Sequence, residues 1–331
     1  MEYRDLGDSG LRVSALSFGA WQIGDPAYWG DDPAHDADSA VRAALDGGIN
    51  LFDTAEGYGN GASEEALGRA LGTRRDQVLI ASKVFPQHCA PDDLRASCEA
   101  SLRRLGTDRI DLYQVHWPPR QVPFDAVAGT LLELQRAGKI RHIGVSNFGV
   151  QDQADWLRAG PAVSNQLGYN LVYRAIEYGI LPACRENRLG VLVYMPLMQG
   201  LLSGRWETVD EIPPKRRRMR MFAGTREGAR HGEPGCEALL METLAALRAI
   251  ARDLGVPLAR LSMAWLLARP GVSSVIIGAR NAAQLQDNLL AAELRLTGTD
   301  MARIDAATES LKTALGANPD MWEGAENCRI R

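Results

Sequence analysis

No run of about 18 or more apolar residues occurs in the 331-residue chain, which argues against a transmembrane helix. The opening, MEYRDLGDSG, carries neither a basic stretch nor an apolar one, so no secretory leader is expected. Cysteine is sparse: Cys89, Cys98, Cys184, Cys236 and Cys328 form an odd set with no C-x-x-C pair. That usage suits reduced thiols in a cytoplasmic protein better than a disulfide framework. The five histidines are scattered, with no H-x-H or H-E-x-x-H, so no metal site is expected. A net charge of −4 gives no general attraction to nucleic acid or to an anionic membrane. No linker or low-complexity tract divides the chain, which reads as one domain over 1–331. It does have material for a core, with 46% hydrophobic residues against 24% charged.

Short apolar runs alternate with helical patterns. Strands are expected at 15–19, 50–53, 78–83, 110–116, 142–146, 163–167, 191–196 and 274–278. Helices are expected near 37–47, 63–71, 92–104, 123–137, 151–158, 176–187, 235–254 and 282–292. Ser63 is placed to cap the second helix, with Glu64 and Glu65 in its first turn, and Pro91 suits a first helical position. Eight strands, each followed by a helix, predict an α/β fold: a (β/α)8 TIM barrel. The residues YRDLGDSGLRV add a short N-terminal β-hairpin turning at 8–10. The segment 203–234 is long, irregular and rich in Arg, Gly and Pro, as functional loops often are.

Catalytic groups in such a barrel come from the C-terminal ends of different strands. Asp53 ends the second strand, Lys83 the third and His116 the fourth, while Tyr58 follows the second. Parity puts Leu79, Ala81 and Lys83 on one face, and Leu112, Gln114 and His116 on another, so both polar residues can point into the barrel mouth. Alone, each has an ordinary explanation as a cap, a packed ring, a rim charge or a core histidine. Together they make a proton-donating site. A phenol of pKa about 10 is a usable acid when an ammonium stabilises its phenolate. A carboxylate keeps the ammonium charged and in place, and a neutral imidazole can hydrogen-bond a carbonyl oxygen.

At this point the chain resembles the aldo-keto reductase superfamily, and in particular bacterial members related to inositol and sugar reductases and the potassium-channel β subunits. The resemblance rests on FDTAEGYG with SEEALGRAL, ASK, DLYQVHW, GKIRHIGVSNF, the Q-x-x-YN of 166–170, and VIIGARNAAQLQDN. It implies a barrel oxidoreductase that uses NADPH/NADP+ and a small carbonyl or alcohol substrate, with catalytic residues Asp53, Tyr58, Lys83 and His116. It implies that Ser146, Asn147 and Gln166 read the nicotinamide amide and that Tyr194 stacks on the ring. In VYMPLMQGLLSG, Pro196, Leu197 and Gln199 follow as backbone contacts to the pyrophosphate. Met195 stands where many relatives carry serine. In IPPKRRRMRMF, alignment on the I-P-P segment assigns Lys215 and Arg217 to the phosphates and leaves Arg216 and Arg218 as a solvated face, with Arg205 as a further phosphate contact. Gly278 lets the backbone turn into the last helix, Arg280 falls at the 2′-phosphate, and Gln284, Asp287 and Asn288 fall near the adenine. Trp21 falls beside both cofactor and substrate, where Tyr58 and His116 also touch substrate. The oligomeric state stays open.

Two other readings of the residues compete with this one. The glycines Gly57, Gly59 and Gly61 suggest a dinucleotide fingerprint, but Ala62 occupies the third glycine position and Glu64 and Glu65 would repel a pyrophosphate. A cofactor-binding regulatory subunit that senses redox state with slow turnover is the alternative to an enzyme.

Overall fold

The structure is a computed structural model that describes residues 1–29 and 36–331. After the hairpin strands β1 (Tyr3–Asp5) and β2 (Arg12–Ser14) come β3 (Leu16–Gly19), β4 (Leu51–Asp53), β5 (Leu79–Val84), β6 (Ile110–Val115), β7 (Ile140–Ser146), β8 (Ser164–Gly168), β9 (Gly190–Tyr194) and β10 (Val272–Ile277). Strands β3 to β10 pair in parallel in chain order and close into a barrel, with Val275 of β10 opposite Leu16 of β3. Parallel strands covered on both faces can be apolar throughout, which is why these runs are short, continuous and Val/Ile/Leu-rich.

Helices α1 (Trp21–Gly24), α2 (Pro26–Trp29) and α3 (Ala37–Asp46) follow β3, and α4 (Ala62–Leu71), α5 (Pro91–Leu105), α6 (Phe124–Arg136), α7 (Val150–Ala159) and α8 (Ile180–Glu186) follow the next five strands. After β9 come α9 (Glu237–Asp253) and α10 (Leu258–Leu267), and after β10 come α11 (Ala282–Leu289) and α12 (Gly298–Leu315). Helix α5 shows why the pattern was readable. Pro91 opens it, Asp92 and Asp93 face the positive end of its dipole, Arg103 and Arg104 face the negative end, and Gly106 ends it at φ 63°. No helix among the described residues is long and apolar enough to cross a membrane.

Several expectations are corrected. Ser63 does not cap α4: Gly61, at φ 93°, precedes the helix, and Ser63 lies inside it. Its hydroxyl donates to the Ala20 carbonyl at 2.7 Å and lies 2.9 Å from the Thr54 hydroxyl, pinning the helix start to the ends of β3 and β4. The helix expected over 176–187 breaks at Gly179 into a 3-10 turn and α8. Helix α10, which the sequence patterns did not lead one to expect, is buried round almost its whole circumference, including Leu258, Leu261, Met263 and Trp265. The segment 203–234 is irregular, as expected, apart from short 3-10 turns.

The hairpin plugs the N-terminal end of the barrel. Leu6 and Val13 pack on the interior residues Leu51, Ala81, Leu112, Leu192 and Ile276. Gly7 makes this contact possible: its φ is +55°, and a Cβ there would sit 2.5 Å from the Arg188 carbonyl oxygen and 2.6 Å from that of Val163. Backbone cannot yield as a side chain can, so Gly7→Ala is expected to destabilise the fold by about 2–4 kcal/mol without touching the opposite end of the barrel. Urea unfolding measures this, and an unchanged midpoint would contradict the plug.

Candidate active site

The opposite, C-terminal end of the barrel opens into a cleft of about 560 Å³. Strand alternation sends Lys83 inward from β5, where it is fully buried. Its ammonium donates to Asp53 Oδ2 at 2.7 Å, to the Thr54 carbonyl at 2.8 Å and to Tyr58 Oη at 3.2 Å. Three acceptors use all three of its protons, so the charge is satisfied without water. The other Asp53 oxygen accepts from Gln166 Nε2 at 2.7 Å. Tyr58, in the 3-10 turn Tyr58–Gly61, meets His116 edge-on with ring centroids 5.9 Å apart. Phe85 stacks on the other side of that imidazole at 5.3 Å.

Burial decides the protonation states. Burial disfavours charge on Lys83, but Asp53 and Tyr58 beside it more than compensate, so its pKa is raised and it stays an ammonium. Burial raises the Tyr58 pKa, and the opposing pull of Lys83 does not cancel it, so the net shift is upward. The ammonium alone would lower it, and burial of the phenol reverses the direction. Tyr58 is therefore held as the protonated phenol. Burial, helped by Lys83, lowers the His116 pKa far below its usual value. That imidazole is neutral, and its Nδ1 is buried without a partner among the described residues. A buried N–H with no acceptor is costly, so the proton belongs on Nε2, the nitrogen available to the cleft.

The His116 shift has a consequence for stability. The folded pKa lies below the unfolded one, so between the two values the unfolded chain binds more protons. Stability is therefore full above about pH 6.5 and falls as the pH drops toward the folded pKa, by up to about 1.4 kcal/mol per pH unit. Replacing the imidazole by a neutral amide, His116→Gln, is expected to reduce the loss of stability seen between about pH 7 and pH 5. Urea midpoints at the two pH values check this, and equal losses in both proteins would contradict it.

The remaining strands supply a polar cradle. Asn147, at φ 62°, donates to the His116 carbonyl at 3.0 Å, and its Oδ1 accepts from Tyr194 Oη at 2.8 Å. The Ser146 hydroxyl donates to the Gln166 carbonyl at 2.9 Å. Gln166 has its amide nitrogen on Asp53, which leaves its Oε1 to accept from a ligand N–H. After β9 the backbone turns through Met195, Met198 and Gln199 at φ 55°, 45° and 53°. Such left-handed residues cost about 1–3 kcal/mol each and cluster where a loop is shaped for a ligand. Asn170 Nδ2 holds this loop by donating to the Met195 carbonyl at 3.0 Å.

Trp21, Asp53, Ser146, Asn147, Gln166, Tyr194, Pro196, Leu197, Gln199, Arg205, Gly278, Arg280, Gln284, Asp287 and Asn288 all line the cleft. Lys215 and Arg217 do not. Lys215 is exposed, and Arg217 turns to Asp210 at 3.1 Å. The register is off by one: Arg216 lines the cleft, donates to the Gln199 carbonyl at 3.0 Å and lies over the Trp29 and Trp206 rings. A 3-10 turn over Pro214–Arg216 sets this, and an alignment on I-P-P does not reveal it. Gly278 has no positive φ; its role is space, since a Cβ would meet the Gln22 side chain at 2.7 Å. The Asp287 carboxylate pairs with Arg260 at 3.0 Å. Sequence reasoning missed Trp29, Trp117, Met263 and Trp322, which also line the cleft. Trp117 directly follows His116 and was within reach, whereas Met263 and Trp322 arrive through tertiary packing.

Comparison with known proteins agrees with this geometry. The family model described as "Aldo/keto reductase family" matches residues 15–309. The chain is 36% identical to aldo-keto reductase YhdN of Bacillus subtilis, over 86% of this chain and 87% of that one. It is 30% identical to an NADH-specific methylglyoxal reductase of Escherichia coli, over 93% and 98%. Among solved structures, an aldo-keto reductase from Klebsiella pneumoniae in complex with NADPH superposes with a TM-score of 0.73 at 29% identity, covering 93% of this chain and 95% of that one. A parallel eight-stranded barrel, a plugged N-terminal end, a carboxylate–ammonium–phenol–imidazole group at the other end and a match across most of the sequence lead to one conclusion: the chain belongs to the aldo/keto reductase family.

Proposed function

We propose that this protein is an NADP(H)-dependent oxidoreductase that interconverts a small carbonyl compound and its alcohol, with Asp53, Tyr58, Lys83 and His116 as the catalytic group. The observation that carries the reading is the 3.2 Å contact between Tyr58 Oη and the buried Lys83 ammonium, beside a cleft of about 560 Å³. In the reducing direction a carbonyl, NADPH and a proton become an alcohol and NADP+. NADPH supplies the hydride to the carbonyl carbon when bound. Tyr58 gives its proton to the oxygen, Lys83 stabilises the phenolate left behind, and the Nε2–H of His116 orients the same oxygen. Reprotonation of Tyr58 from solvent closes the cycle.

The residues present fit the cofactor. Arg205, Arg216 and Arg280 bring three guanidinium groups to the cleft, a donor set suited to phosphates. Gln22 and Trp29 line it too, and Gln22 Oε1 and Trp29 Nε1 are buried without a partner among the described residues. Gln166 Oε1 suits an amide N–H, and the Tyr194 ring is fixed by its bond to Asn147 for stacking. The test is consumption of NADPH with a panel of aldehydes, ketones and sugars, followed by absorbance, with NADH in parallel. Tight NADPH binding with no turnover on any carbonyl would instead mark a redox-sensing module.

Arg280 sits just before α11, whose Asn281 caps the helix, and its backbone N–H donates to Gln284 Oε1 at 2.9 Å. Its guanidinium is assigned to the 2′-phosphate. Bonds between charged groups contribute about 1.5–3 kcal/mol. Arg280→Ala is therefore expected to raise the NADPH dissociation constant about 10–100-fold and that of NADH far less, as fluorescence titration would show. Equal losses would remove the assignment.

A further inference from the structure

The cleft has two chemically different halves. Its guanidinium groups come from the segments after β9 and β10, the same segments that form the phosphate side. The lining around Tyr58 and His116 is instead aromatic, with Trp21, Trp29, Trp117 and Trp322, and Arg216 reaches it only at the Trp29 ring. Trp21 stacks on Tyr58 at 5.6 Å and meets Trp29 edge-on at 5.1 Å, making one aromatic wall. Trp117 and Trp322 meet at 6.0 Å and 61° and make another.

This second wall is assembled from distant parts of the chain, and one ion pair holds it. The Arg329 guanidinium lies 3.8 Å from the Trp117 ring centroid and 5.8 Å from that of Trp322. It grips Asp320 with two bonds, Nε to Oδ2 at 2.7 Å and Nη2 to Oδ1 at 2.8 Å. Asp320 is fully buried, and its Oδ1 also accepts from the backbone N–H of Trp322 at 3.2 Å and of Glu323 at 3.3 Å. The carboxylate thus fixes the peptide that carries the indole, while the guanidinium stacks beneath both indoles. Met321 locks the turn from the other side: its carbonyl accepts from the Arg220 N–H at 2.9 Å. A Cβ at Gly168 would lie 2.4 Å from the Met321 methyl, so the glycine admits the tail at this point. A turn held by so many bonds around one buried acid is built to place something, and Trp322 is what it places in the cleft.

We infer that Trp322 is a specificity-determining wall of the carbonyl site, that Asp320 and Arg329 are its positioning pair, and that the site selects a carbonyl compound carrying a flat aromatic group. The inference rests on the reductase reading and deepens it. An arene between indole walls gains stacking and burial that a short alkyl chain does not.

The test compares benzaldehyde with propanal as substrates, with NADPH, in the full chain. For Trp322→Ala the ratio of kcat/KM for benzaldehyde to that for propanal is expected to fall about tenfold, a free-energy difference of about 1.4 kcal/mol. The loss should lie in the benzaldehyde KM rather than in kcat, and Trp322→Phe should restore most of the ratio. Asp320→Asn, whose amide no longer pairs with the Arg329 charge, should lower the same ratio with the same KM signature. Should Asp320→Asn fail to fold, Arg329→Lys takes its place, since it keeps a charge for Asp320 but loses the flat contact with both indoles. Equal losses on the two aldehydes, or an unchanged ratio, would overturn the inference while leaving the reductase reading intact. A wild-type protein inert to every carbonyl would overturn both.

Discussion

Tyr58→Phe is expected to lower kcat for carbonyl reduction by about 10²–10⁴-fold, the usual contribution of a positioned general acid. The change removes one oxygen and keeps the ring, so the stack on Trp21 and the edge contact with His116 persist. Lys83 retains two acceptors, Asp53 Oδ2 at 2.7 Å and the Thr54 carbonyl at 2.8 Å, so the buried ion pair survives and the fold with it. NADPH affinity should move little, because the phosphate and amide partners lie on other strands. The loss should therefore appear in single-turnover hydride transfer and not in cofactor titration. A variant that keeps its rate within about threefold would show that the proton comes from elsewhere. The pH profile gives a second view. Burial holds the phenol protonated and the imidazole neutral, so reduction at saturating NADPH should be nearly flat from about pH 6.5 to pH 9.

How much of this was legible in the sequence depended on whether the information was local. Strand-end chemistry is local. Lys83 and Gln114 each lie two residues beyond an interior residue of the same strand, Ala81 and Leu112, and a period of two carries them into the barrel. The hairpin and the opening of α5 were readable for the same reason, whereas the residues named along the cofactor side of the cleft came from the family resemblance. Where a second element decides, sequence reasoning stopped. Ser63 has the chemistry of a cap, yet the approach of Ala20 and Thr54 gives its hydroxyl better partners inside the helix. Arg216 and Arg217 are chemically identical, and only the 3-10 turn before them selects which one enters the cleft. Tyr58 shows the same limit in electrostatics. Its neighbour Lys83 was visible, but the desolvation that outweighs Lys83 belongs to the packed barrel. Trp322 is the extreme case, since its place is set by an acid, an arginine and a second tryptophan that meet only in the folded chain.

Lys83→Met carries the other large expected effect, and it divides into two that separate cleanly. The first is structural. Asp53 is only 3% exposed, and without the ammonium its charge is left with amide donors, Gln166 at 2.7 Å and Gln114 at a long 3.5 Å. Removing one partner of a buried ion pair costs about 3–5 kcal/mol, because the other charge stays desolvated. The second is chemical. Burial already makes Tyr58 a weaker acid than free tyrosine, and Lys83 is what opposes that. Without it the phenolate formed on proton transfer has no counter-charge, and kcat should fall by about 10²–10³-fold, as when one electrostatic donor is removed from a transition state. A double variant distinguishes the two. Lys83→Met with Asp53→Asn removes the orphaned charge along with its partner, so the urea midpoint should recover most of its loss while kcat stays low. If activity returned together with stability, the role of Lys83 would be to hold the barrel mouth in shape. If neither returned, the amide at position 53 would have failed to replace the carboxylate in its bond to Gln166, and Asp53→Asn alone, with Lys83 in place, would show that same loss.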